Sequence, residues 1–106
     1  MKKIYSINEI KDIVNDVAED YGVEKVMLFG SYARHEATID SDIDLRIDKG
    51  RLRGLFQLSG FRLSLEERLN TGVDVLTTES LDETFLRNIQ AEEIVLYERR
   101  PLRESL

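Results

Sequence analysis

Hydrophobic residues recur along the chain with two different periods. From about Ile7 to Tyr21, Ile7, Ile10, Ile13 or Val14, and Val17 or Ala18 fall at helical spacing. Ser6 followed three residues on by Glu9 is a capping box, which satisfies two orphan amides at the helix start. Gly22 is a natural stop for this helix, whose charged face reads as solvated. Val26-Met27-Leu28-Phe29 is a short continuous apolar run ended by Gly30, which favours a buried strand. After polar, turn-like residues 35–41, the run from Asp42 to Asp48 alternates strictly. Ile43, Leu45 and Ile47 point one way, and Asp42, Asp44, Arg46 and Asp48 the other, so this strand has a charged open face.

The period of about 3.6 returns from Leu55 to about Leu69, through Leu58, Phe61 or Arg62, and Leu65. Asn70-Thr71-Gly72 ends this helix, and Val73 to Thr77 is a third strand. Ser80 with Glu83 repeats the capping-box signature and predicts a third helix reaching Gln90 or Ala91. Ile94 to Tyr97 is a fourth strand. Phe56, Phe61 and Phe85 read as core. The order helix, strand, strand, helix, strand, helix, strand predicts an α/β (α+β) domain, a mixed four-stranded sheet with helices packed on it. Residues 1–98 form the expected single domain and 99–106 a polar C-terminal tail.

Composition narrows the function classes. The chain has 106 residues, 15 Lys and Arg against 21 Asp and Glu, and a net charge of −6. The acidic balance argues against direct nucleic-acid binding, which usually needs a basic surface. Cysteine is absent, which excludes disulfides, zinc–thiolate sites and a cysteine nucleophile. The apolar residues after Lys2 and Lys3 are broken at once by Ser6, Asn8 and Glu9, so no signal-peptide h-region is expected. No apolar run reaches the ~20 residues of a membrane span. A cytoplasmic protein without membrane association is the expectation.

Three features carry candidate chemistry. Gly30-Ser31 follows a buried strand and opens a turn in which Tyr32-Ala33-Arg34 supplies a first helical turn. Glycine lets a ligand approach the backbone, and free amides there attract phosphate. The alternative is a shaping glycine and a capping serine. Asp42 and Asp44 emerge on one strand face about 7 Å apart along the chain. Two such carboxylates repel unless a cation intervenes, and Mg²⁺ commonly takes one or two carboxylates with substrate phosphates. A solvated charged edge is the alternative, although aspartate is a poor strand former. Asp74 lies between Val73 and Val75; if the valines face the core, it shares the side of Asp42 and Asp44. Three converging carboxylates would complete a two-metal site.

Together, Gly30-Ser31-Tyr32-Ala33-Arg34, Ser41-Asp42-Ile43-Asp44-Leu45 and Val73-Asp74-Val75-Leu76 resemble the DNA polymerase beta-like nucleotidyltransferase superfamily. The resemblance spans about Val26 to Tyr97 and is strongest to the minimal nucleotidyltransferases, often antitoxins paired with a HEPN-type RNase toxin. It implies a polymerase beta-like core, Gly30 and Ser31 holding a nucleotide triphosphate, and Asp42, Asp44 and Asp74 as catalytic ligands of two Mg²⁺ ions. Arg34 stands where the family usually has Arg, to contact phosphate or to pair with a neighbouring carboxylate. Two residues depart from the pattern. His35 replaces the usual glycine, where a positive φ would strain it. Arg46 replaces an apolar residue and could neutralise a carboxylate or grip a phosphate. His35, the only histidine, reads as a surface turn residue rather than a general base.

The implied activity is Mg²⁺-dependent transfer of a nucleoside monophosphate, AMP from ATP, to a hydroxyl. Larger relatives add a domain to hold the acceptor. None is expected after Tyr97, so a partner protein, a HEPN toxin, would present the hydroxyl. The alternative is a non-catalytic antitoxin that neutralises by binding alone, which does not need three aligned aspartates. A small-molecule acceptor such as an aminoglycoside is a third reading, disfavoured by the missing acceptor domain. Lys49, Arg51 and Arg53 form a basic turn, and Arg99, Arg100 and Arg103 a basic tail, either of which a partner could touch. Homo-oligomerisation is left open.

Overall fold

The computed structural model describes residues 3–99. Helix α1 spans Ile7–Tyr21, between the Ser6–Glu9 capping box and Gly22 in left-handed conformation. Strand β1 (Lys25–Phe29) runs directly into a four-residue helix α2 (Gly30–Ala33). Strand β2 (Ile43–Asp48), helix α3 (Gly54–Leu69) and strand β3 (Val73–Thr77) form a crossover unit. A single 3-10 turn (Thr78–Ser80), helix α4 (Glu83–Gln90) and strand β4 (Ile94–Glu98) follow. The strand order is β3-β2-β1-β4. β1 pairs antiparallel with β2 and with β4, and β2 pairs parallel with β3, so the sheet is mixed and open.

The core lies on one face of this sheet. Val26, Leu28, Ile43, Leu45 and Ile47 pack there against Ile10, Val14 and Ala18 of α1 and Phe61, Leu65 and Leu69 of α3, all buried. The other face carries the alternate residues Met27, Phe29, Asp44 and Arg46. Part of it is covered by α4, whose Phe85 meets Phe29 edge-on at 6.5 Å between ring centroids and whose Ile89 is buried. No described helix is long and apolar enough to cross a membrane.

Three expectations need correction. Of the three phenylalanines read as core, only Phe61 is; Phe56 is 96% exposed and Phe85 40%. Helix α3 carries leucine or phenylalanine on nearly every side, so spacing alone did not select the buried stripe. Leu58, Phe61, Leu65 and Leu69 face inward, while Leu55 and Phe56 do not. Ser80 does not cap α4. It donates to the Thr77 carbonyl inside the 3-10 turn, and Asp82 caps α4 by accepting from the Phe85 amide at 2.8 Å. Arg46 is not on an open face but is 7% exposed. At the start of the expected 99–106 tail, the Arg99 amide donates to the Glu24 carbonyl. Arg100, Pro101 and Arg103 lie outside the described residues.

Candidate active site

Strand register decides which of the carboxylates meet. In the antiparallel β1–β2 pair Phe29 lies opposite Asp44, and in the parallel β2–β3 pair Asp44 lies opposite Asp74. Asp44 therefore stands between the end of β1, where Gly30 begins α2, and Asp74 on the edge strand. Asp42 immediately precedes β2. The Ile43 amide donates to the Gly72 carbonyl at 2.9 Å, which brings the entry of β2 beside the entry of β3.

Two glycines make room for these side chains. Gly30 has φ 76°, and a Cβ there would run into the Asp44 carboxylate. A Cβ on Gly72 would collide with the Asp42 carboxylate. Gly72 read in the sequence as no more than a helix terminator, yet it is the seat of Asp42. The acidic edge is thus built by close backbone approach, which only glycine permits.

The electrostatics are uncompensated. Burial pushes the Asp44 carboxyl up to about 6, followed by repulsion from Asp74, a hydrogen bond with Asp74 and repulsion from Asp42; Arg34 opposes the shift. Protonation of Asp44 thus relieves the Asp44–Asp74 contact. Among the described residues no group of three histidine, cysteine, aspartate or glutamate side chains is already arranged as a metal cage. The donor set nevertheless fits a hard divalent cation: two carboxylates side by side in register and a third at the same sheet end, all oxygen donors.

A cleft of about 440 Å³ opens beside Asp44, lined by Gly30, Ser31, Arg34 and Asp44 and, from α4 and the turn after it, by Phe85, Asn88 and Glu92. Asp42 and Asp74 do not line this cleft. Glu92 is a functional candidate that sequence reasoning missed. Its carboxylate accepts the Gly30 amide at 2.6 Å and the Arg34 Nη1 at 3.1 and 3.2 Å. Arg34 Nε also bonds Glu36 at 3.0 Å, so of the two roles expected for Arg34 this structure displays the carboxylate pairing. A glutamate two residues before a strand has no local signature, and only the fold brings it 62 positions back to Gly30.

His35 adopts φ 61°, the strained conformation anticipated where glycine is usual. Arg46 takes the first of its two readings. It neutralises a carboxylate, donating through Nε and Nη2 to Glu93 at 2.5 and 2.7 Å, and reaches Thr78 Oγ1 at 2.6 Å.

A family model described as Polymerase beta, Nucleotidyltransferase matches residues 8–102, and the chain belongs to that family. Within it, the chain is similar to proteins named as protein adenylyltransferases. MJ0435 of Methanocaldococcus jannaschii, a candidate protein adenylyltransferase, is 41% identical over 76 residues, covering 72% of this chain and 82% of the relative. Protein adenylyltransferase MntA of Thermococcus cleftensis is 30% identical over 91 residues, covering 82% of this chain and 92% of the relative. The fold is shared with a chain in the complex of tri-AMPylated Shewanella oneidensis HEPN toxin with MNT antitoxin. That likeness has a TM-score of 0.68 at 16% identity, over 88% of this chain and 73% of that one.

Proposed function

We propose that this protein transfers AMP from ATP to a hydroxyl of a partner protein of the HEPN toxin class, and so acts as its antitoxin. The observation that carries the reading is the pairing of Asp44 with Asp74 in strand register beside Gly30, where burial and then the neighbouring Asp74 push the Asp44 carboxyl up to about 6. The names of the relatives and the AMP-modified toxin in the complex that shares the fold support the choice of nucleotide and acceptor.

Asp42, Asp44 and Asp74 would hold Mg²⁺. When bound, the metal supplies charge stabilisation on the attacking and leaving oxygens of an in-line displacement. The chain's own residues position the reactants. Ser31 and Arg34 in the cleft beside Asp44 take up the triphosphate. Glu92 must release Arg34 Nη1 and the Gly30 amide for these to turn to phosphate. The acceptor oxygen bonds to the α-phosphorus, the bond to pyrophosphate breaks, and the hydroxyl proton passes to a carboxylate of the Asp44–Asp74 pair. Most of the catalysis is then positioning and electrostatics.

Incubation with labelled ATP, Mg²⁺ and a HEPN-type toxin protein tests the reading. Label is expected on the partner, and Asp44→Asn is expected to reduce transfer at least about a hundredfold with the fold retained. Unchanged turnover in that variant overturns the role of Asp44. A tight complex without transfer of label overturns catalysis and leaves neutralisation by binding alone.

A further inference from the structure

Helix α3 turns one face inward and leaves an apolar face outside. Phe56 is 96% exposed, Leu55 80% and Leu63 53%. Phe56 and Leu63 are seven residues apart, so they lie on one stripe about 10 Å apart along the axis. Ser59, exposed between them, leaves a shallow saddle. An apolar stripe of this kind on a soluble domain marks a contact surface.

The charges flanking the stripe specify what it contacts. Arg53 stands exposed at the N-terminal end of α3, and Glu67 stands exposed two turns beyond the saddle. Neither has an ion-pair partner among the described residues. The acid next to Glu67, Glu66, is already engaged by the Val73 amide and by Arg62. The midpoint of Phe56 and Leu63 falls between residues 59 and 60, and the midpoint of Arg53 and Glu67 is residue 60. A two-fold axis through that point sets Phe56 of one copy against Leu63 of the other. The same axis sets Arg53 against Glu67 twice, on the same side of the stripe. The helix is thus its own complement when reversed, as an isologous interface requires. Antiparallel packing also opposes the two helix dipoles.

We propose that the exposed face of α3 binds a second copy of this chain, antiparallel, with Phe56 seated by Leu63 and Arg53 paired with Glu67 across a two-fold axis. The inference does not depend on the catalytic reading, because Arg53, Phe56, Leu63 and Glu67 do not line the cleft beside Asp44.

Sedimentation of the full chain over an about hundredfold concentration range tests it, since a dimer of this kind dissociates on dilution. Wild type is expected to show a monomer–dimer equilibrium, and Phe56→Glu to weaken it at least about tenfold. Arg53→Glu and Glu67→Arg are each expected to weaken it about threefold to tenfold, and the double exchange R53E/E67R to restore it within about twofold. All three positions are exposed, so thermal melts at concentrations where the chain is monomeric are expected to be unchanged. A wild-type chain that stays monomeric throughout overturns the proposal and leaves the face to a different protein. Association that survives Phe56→Glu, or a double exchange that fails to restore it, overturns the antiparallel arrangement.

Discussion

Asp44 and Arg46 sit two residues apart on one face of one strand, yet their surroundings are opposite. Arg46 is enclosed, its guanidinium bonded to Glu93 at both ends of a carboxylate and to Thr78, which in turn donates to Asp48 at 2.6 Å. The Arg46 and Glu93 side chains are each 8% exposed, and charge there meets its opposite. Asp44 meets Asp74 and Asp42, and its nearest positive influence is Arg34, which Glu36 and Glu92 already occupy. The consecutive residues Glu93 and Glu92 are both paired and differ in exposure: Glu93 is sealed against Arg46, while Glu92 stands at the rim of the cleft on Gly30 and Arg34. A polar group that holds the fold together is satisfied; one beside a cleft whose charge is left unbalanced is a functional candidate.

Breaking each side of this comparison should give effects of different size and sign. Arg46→Met leaves Glu93 buried without a partner and is expected to cost about 3–5 kcal/mol, read from denaturant unfolding. Indifference to that change would mean that Glu93 reaches water and that the two sites do not differ. Asp44→Asn should act in the other direction, raising the stability of the metal-free domain at neutral pH by about 1 kcal/mol after allowing for solvent screening.

The pH dependence follows from the same group. The folded carboxyl titrates near 6, above its ordinary value of 3.8, so between about pH 4 and 6 the folded state holds more protons than the unfolded chain. Stability contributed by that proton is present below the window and is lost as pH rises through it. Melting temperatures of the metal-free wild type should therefore fall relative to Asp44→Asn from pH 4 to 6 and run parallel above. A constant offset across the window would contradict the raised carboxyl.

Glu92→Gln should be the mildest change, at about 0.5 kcal/mol or less, because the pair is partly exposed and glutamine still accepts the Gly30 amide. A loss as large as that of Arg46→Met would make Glu92 a structural anchor like Glu93.

Much of this contrast was written locally. The 2-residue period of β2 placed Asp44 and Arg46 on one side and Ile43, Leu45 and Ile47 on the other, and those three are buried in the core. Asp74 between two valines took its side by the same rule. Parity, however, names a face and not its cover. That Arg46 would be roofed by Glu93, and that Phe56 would stay outside while Phe61 went in, depended on where α4, the turn after it and α3 came to rest. The capping of α4 by Asp82 rather than Ser80 shows the same limit at short range, because both residues carry the right oxygen and the chain path chose between them.

Side-chain periods, caps and glycine positions are properties of neighbours in the chain, so α1, the four strands, the Gly30-Ser31 bend and the sidedness of each aspartate could be read from the linear order of residues. Which strand lies beside which, and therefore that Asp44 opposes Asp74, that Gly72 seats Asp42 and that Glu92 reaches Gly30, came only with the packed sheet. Pairing register and helix placement are set by the burial of the whole core at once, and no short stretch of residues holds that information.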